Sequence, residues 1–154
     1  MKRIMVLTAL VSGVLLAQSN PFIGTWKLNT AKSKYNPGPA PQSITRTVEA
    51  QGSGVKYSSE GTAGDGSHVS YSYTANYDGK DNPISGTGAP NGADTIAIKR
   101  VNANTQSTTL KKAGKVVQTS QAVVSKDGKV TTITSKGTNV KGEPTNNVAV
   151  WDKQ

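Results

Sequence analysis

The chain has 154 residues, no cysteine, a formal net charge of +9 and a hydrophobic fraction of only 34%. That length suits one domain, and the lack of cysteine excludes disulfide staples and thiolate metal sites, so a hydrophobic core must hold the fold. The bases are scattered instead of gathered into a face interleaved with stacking aromatics, which argues against a nucleic-acid surface.

Residues 1–19 read as an export signal. Lys2 and Arg3 make a basic start, Ile4 to Leu16 is a mostly apolar run, and Ala17-Gln18-Ser19 supplies the small or neutral residues that a signal peptidase accepts. The apolar run is too short to span a bilayer comfortably, and no stop-transfer segment follows it. No cysteine stands beside the cleavage region to carry a lipid. The expected product is a periplasmic or secreted monomer without a transmembrane segment, its single domain covering residues 20–154.

Glycines at turn-like intervals cut this domain into short runs. Strands are expected at 22–28, 43–50, 55–62, 67–77, 94–101, 105–112, 115–125, 129–138 and 145–153, with a short one near 82–85. Asp78-Gly79 and Asp127-Gly128 read as tight hairpin turns, because a type I′ turn needs positive φ at both central residues. No helical period is found, and the connections are too short for parallel pairing. The fold class is therefore all-β, an up-and-down antiparallel barrel of eight to ten strands. Two stretches break the rhythm. Residues 29–42 carry Pro37, Pro39 and Pro41 and read as a rigid, largely extended loop, while 85–93 reads as a flexible Gly-rich loop.

The first strand shows how the interior is built. In the stretch NPFIGTWKL, Phe22, Gly24, Trp26 and Leu28 point one way, and Ile23, Thr25 and Lys27 the other. Gly24 leaves room for a backbone or a bulky side chain to approach, and Trp26 becomes a large plug whose indole N–H needs a partner. A Gly-x-Trp on the first strand of a hairpin-built chain resembles the calycin proteins, that is, lipocalins and fatty-acid-binding proteins. The terminal VAVWDKQ resembles the last strand of the fatty-acid-binding group. The stretches GTWKLNTAKSKYNPGPAP, YDGKDNP, VVSKDGK and NNVAVWDKQ resemble a family of small exported bacterial lipocalin-like proteins of unknown function. The resemblance implies a barrel closed at one end around Trp26, with Lys153 covering the ring as the terminal basic residue does in lipocalins. It also has limits. Fatty-acid-binding proteins insert two helices after the first strand, where this chain has its Pro-rich loop. Their last strand carries an Arg-x-Tyr that holds the ligand carboxylate; aligned through Trp151, this chain has Ala149-Val150-Trp151. The lipocalin Thr-Asp-Tyr motif is not recognisable, so carboxylate binding is not carried over.

Candidate chemistry follows from the same alternation. Val69, Tyr71, Tyr73, Ala75 and Tyr77 share one strand face, and His68, Ser70, Ser72, Thr74 and Asn76 the other. Inward tyrosines either make an amphipathic pocket or simply fill the core. Arg46 and Arg100 fall in step with apolar neighbours; each either meets an anionic ligand inside or reaches solvent from a strand end. His68 is the lone imidazole and lies on a polar face, so no metal site, haem site or Ser-His-Asp triad is assembled around it. No catalytic residue, cofactor or metal ligand is assigned. The candidate ligand-binding set is Trp26, Arg46, Tyr71, Tyr73, Arg100 and Trp151, and the partner is a small lipophilic or amphipathic molecule held non-covalently. The alternative is a cell-envelope interaction or structural module with a packed core, whose basic outer surface makes weak contact with anionic envelope material.

Overall fold

The structure, a computed structural model, describes residues 19–154. The signal peptide read over residues 1–19 lies outside the described residues apart from Ser19. The chain runs through eleven strands: β1 Gly24–Leu28, β2 Ser43–Gln51, β3 Gly54–Thr62, β4 His68–Ala75, β5 Asn82–Pro83, β6 Ser85–Thr87, β7 Thr95–Asn102, β8 Thr105–Lys112, β9 Lys115–Val124, β10 Val130–Thr138 and β11 Pro144–Lys153. They form one sheet in the order β5-β7-β8-β9-β10-β11-β1-β2-β3-β4-β6, every pairing antiparallel. Because β1 pairs with β2 on one side and β11 on the other, the first and last strands meet and the sheet curls into a nearly closed barrel.

The strand count exceeds the expected eight to ten because the stretch after Tyr77 supplies two short strands instead of one. β5 lies against β7 through Asn82↔Ile96, and β6 against β4 through Tyr71↔Gly86, so the two fill opposite sides of the gap between β4 and β7. An isolated Asp78↔Lys99 bridge, with the Gly79 N–H on the Ile98 carbonyl at 2.9 Å, draws the sides of that gap together.

Turn chemistry differs from expectation. The two-residue hairpin with both central φ values positive is Ala113-Gly114, at 48° and 77°, and not an Asp-Gly pair. At Asp127-Gly128 only the glycine is left-handed, φ 72°. The Asp127 carboxylate instead accepts from the Ser125 hydroxyl at 2.6 Å and the Lys129 N–H at 3.1 Å, a local side-chain turn that keeps aspartate out of the positive-φ region. Asp78 does the same with the Lys80 N–H at 3.0 Å, at a strand crossing and not in a hairpin.

The two irregular stretches are also more structured than expected. After β1, a single 3-10 turn covers Thr30–Lys32, with the Asn29 side chain accepting from the Lys32 N–H at 3.1 Å. The chain then extends, and Lys34 exchanges backbone bonds of 2.7 and 2.8 Å with Val148. The Pro-rich loop thereby prolongs the line of β1 along β11. The Gly-rich loop opens with β6 and closes with a 3-10 turn over Pro90–Gly92, where Asn91 sits at φ 54°.

Candidate ligand cavity

Alternation along β2, β3 and β4 aims one side chain in two at the barrel axis. From β2 these are Ile44, Arg46 and Val48, all buried, and their cross-strand partners include Ser59 and Tyr57 on β3 and, one strand further, Tyr71 and Tyr73 on β4. Tyr57 stacks on Tyr73 with ring centroids 4.6 Å apart and planes 11° apart, and on Tyr71 at 5.8 Å and 29°. The Tyr57 and Tyr71 hydroxyls lie 3.4 Å from each other. Cross-strand aromatic pairs of this kind stabilise a sheet and fix its register.

The opposite wall, from β8 to β11, carries polar side chains on its inner face: Gln106, Thr108, Gln118, Ser120, Ser135 and Asn147. Leu110, Ala122, Ile133 and Ala149 fill the remaining positions there, and Ile96 and Ile98 line the cavity from β7. Between the walls lies a cavity of about 190 Å³, bordered also by Tyr35 from the Pro-rich loop and Pro90 from the Gly-rich one. Tyr35, Tyr71 and Tyr73 keep their protons. Burial, assisted by the neighbouring Tyr57 ring system, holds Tyr71 and Tyr73 well above the ordinary phenol value, and burial pushes Tyr35 up to about 12 against the opposing pull of Arg46. Each therefore offers the cavity a neutral hydroxyl able to donate or accept.

Arg46 lies at the floor of this space, 6% exposed. Its guanidinium carbon is 4.4 Å from the Trp151 ring centroid and 5.6 Å from that of Trp26. Burial lowers its pKa from the usual arginine value while the Tyr57, Tyr73 and Tyr71 hydroxyl groups oppose that fall, and an arginine remains charged under such a shift. Arg46 Nε and Trp151 Nε1 are both buried and find no hydrogen-bond partner among the described residues. The ion pairs His68–Glu60, Lys111–Asp81 and Lys112–Asp94 all lie elsewhere.

Beneath Arg46, Trp26 has no exposed surface. Its indole N–H donates to the Phe22 carbonyl at 3.0 Å, and Lys153 Nζ stands 5.2 Å from its ring centroid. Gly24 is what admits that lysine: a Cβ there would lie 2.7 Å from Lys153 Cε, and the backbone φ of +134° suits glycine.

Of the six residues expected to form the site, Arg46, Tyr71, Tyr73 and Trp151 border one cavity. Trp26 does not line it but supports Arg46 from below. Arg100 stands apart, its guanidinium over the Tyr77 ring at 4.1 Å and the Phe22 ring at 5.5 Å, donating to the Ala103 carbonyl at 3.2 Å. Tyr57 and Tyr35 were not in the expected set. Tyr57 was within reach, since Val55, Tyr57 and Ser59 alternate on β3; Tyr35 sits in a loop with no period to mark it. His68 is exposed, with Glu60 at 3.8 Å, and among the described residues no group of three or more histidines and acids converges. No helix among the described residues is long and apolar enough to cross a membrane.

A nearly closed antiparallel barrel with its first-strand tryptophan at the base and a cavity above it defines a calycin-type fold. Among solved structures, the chain is similar to zebrafish ileal bile acid-binding protein complexed with cholic acid, at a TM-score of 0.52 and 12% identity, over 87% of this chain and 99% of that one. At that identity the likeness speaks for the fold alone, and it is the fold that the Gly-x-Trp strand implied. No protein-family model and no curated protein matches the chain.

Proposed function

We propose that the protein is an exported binding protein that holds a small, partly apolar ligand non-covalently inside its barrel. The observation that carries this reading is the cavity of about 190 Å³ between a tyrosine wall and a hydroxyl- and amide-bearing wall. Apolar lining supplies the driving force and a few convergent polar groups set orientation, which is the usual composition of a small-molecule site. The fold neighbour's printed role as a bile acid-binding protein supports a lipophilic partner. Export is supported by the basic-then-apolar leader of residues 1–19. The exposed Lys27, Lys56, Lys99 and Lys136, standing on β1, β3, β7 and β10, favour an additional weak contact with anionic envelope surfaces.

Native mass spectrometry of protein purified without detergent tests the first point. A co-purifying mass that leaves on mild activation, together with quenching of tryptophan fluorescence by lipophilic probes, is the expected result. A bare mass and unquenched fluorescence across the panel would overturn it in favour of a packed module. Recovery of the chain from the periplasmic fraction or the medium, with a new N-terminus near Ser19, tests export.

A further inference from the structure

We infer that the cavity takes a compact amphipathic acid, whose single carboxylate or comparable oxyanion is received by the Arg46 guanidinium and the Trp151 indole N–H; this rests on the ligand-binding reading above. Both side chains border the cavity, and their Arg46 Nε and Trp151 Nε1 atoms are buried without a partner. Two unmet donors on two neighbouring side chains constitute one recognition feature, since the guanidinium lies directly over the Trp151 ring at 4.4 Å.

A guanidinium carries five N–H donors in one plane. The rings of Trp26 and Trp151 answer its charge but offer no acceptor, and its buried Nε–H is left unmet. No carboxylate pairs with it among the described residues, and burial keeps the neighbouring Tyr71 and Tyr73 in the neutral phenol form. A buried cation in that condition is costly, whereas an apolar side chain of similar length would pack equally well between two indoles. The planar fork of arginine matches a carboxylate in two-point fashion, and the tyrosine hydroxyls stand ready as further donors. Size narrows the class again. The cavity of about 190 Å³ falls below the range of about 300–1,000 Å³ common for drug-sized ligands, so the apolar body is short or a single small ring system.

The test uses three probes with one apolar body, octanoate, octanamide and octylammonium, titrated calorimetrically into the purified protein at neutral pH. Octanoate is expected to bind at least tenfold more tightly than octanamide, and octylammonium not measurably. Arg46→Met should erase that preference while octanamide still binds, and should raise the thermal midpoint of the free protein. Trp151→Phe, which keeps an aromatic ring but loses the pyrrole portion with its N–H, should weaken octanoate several-fold and octanamide little. Equal binding of octanoate and octanamide, a preference for octylammonium, or an anion preference surviving in Arg46→Met would overturn the proposal while leaving the barrel a binding protein. If none of the three binds and no mass co-purifies, both readings fall. Should Arg46→Met not fold, the three probes on the unaltered protein and on Trp151→Phe still decide.

Discussion

At the scale of single residues, Trp26 is where most of the packing converges. It is covered by Arg46 on one side, approached by Lys153 from another, and tied by its N–H to Phe22. Trp26→Ala removes that whole ring and should lower unfolding free energy by about 3–5 kcal/mol, read from urea denaturation, with Trp26→Phe losing less. Its position was legible because Gly24 two residues before it, with Phe22 and Leu28 in the same alternation, leaves one inward face. Arg46 obeys the same alternation with Ile44 and Val48, yet an arginine in that pattern can turn outward at a strand end. What decides is register, since Arg46 is paired to Trp26 and Ser59 in mid-strand, far from any end it could reach around. The tyrosines give a pH prediction. Tyr35, Tyr71 and Tyr73 have folded-state pKa values raised above the ordinary phenol value, so the folded protein holds protons that the unfolded chain releases. Their contribution is intact below pH of about 10 and is lost as pH climbs beyond it, with a slope of up to about 4 kcal/mol per pH unit for three such groups. Urea midpoints from pH 9 to 11.5 should fall accordingly, and Tyr73→Phe should flatten the decline.

At the scale of elements, the hairpins were the easiest to read and the covering loops the hardest. β8 occupies residues 105–112 as expected, because two-residue turns bound it on either side; an irregularity next to each turn, at Val101 on β7 and Val117 on β9, still shifts the pairing by one residue. β6 is three exposed residues, and nothing in Ser85-Gly86-Thr87 carries a period; it is a strand only because the edge of β4 is there to pair with it. The turn that follows is fastened in a way composition does not reveal. Asn91 donates to the Val117 carbonyl at 3.2 Å and to the cavity-lining Gln118 at 3.1 Å, while its neighbour Pro90 faces the cavity itself. Asn91→Gly keeps the left-handed backbone conformation and removes both bonds, so it isolates the latch from the strain. Global stability should change by about 1–2 kcal/mol at most. Amide exchange of residues 85–93 should accelerate while that of β8 to β11 is unchanged, and octanoate should associate faster in stopped-flow fluorescence; unchanged exchange and rates would mean the turn is held by packing alone.

At the scale of the whole molecule, the barrel depends on one non-local closure. Every other strong pairing joins neighbours in sequence, whereas β1 and β11 bring Leu28 opposite Trp151 and Trp26 opposite Lys153 across nearly the full length of the described chain. The sequence showed that both strands existed, since each carries a tryptophan among alternating residues, but their meeting is a property of the curled sheet and of no local signal. This closure must bear more than its own hydrogen bonds. β11 contributes Ala149 and Trp151 to the core, gives the Pro-rich segment its partner at Val148, and places the second indole against Arg46. Truncation before Pro144 therefore removes four things at once: the β10 and β1 pairings, core volume, the anchoring of residues 34–36, and half of the aromatic enclosure of a buried cation. It also opens two long strand edges, β1 and β10, to other chains. The truncated protein should lose its near-ultraviolet circular dichroism and its cooperative thermal transition, and should elute as aggregates on size exclusion. Trp151→Ala in the full chain separates the contributions: it keeps the ladder but loses the ring, so it should stay folded and free of aggregates, with a lowered midpoint. If the truncated chain instead melts cooperatively as a monomer, the closure is dispensable and the ten remaining strands alone suffice to bury Trp26.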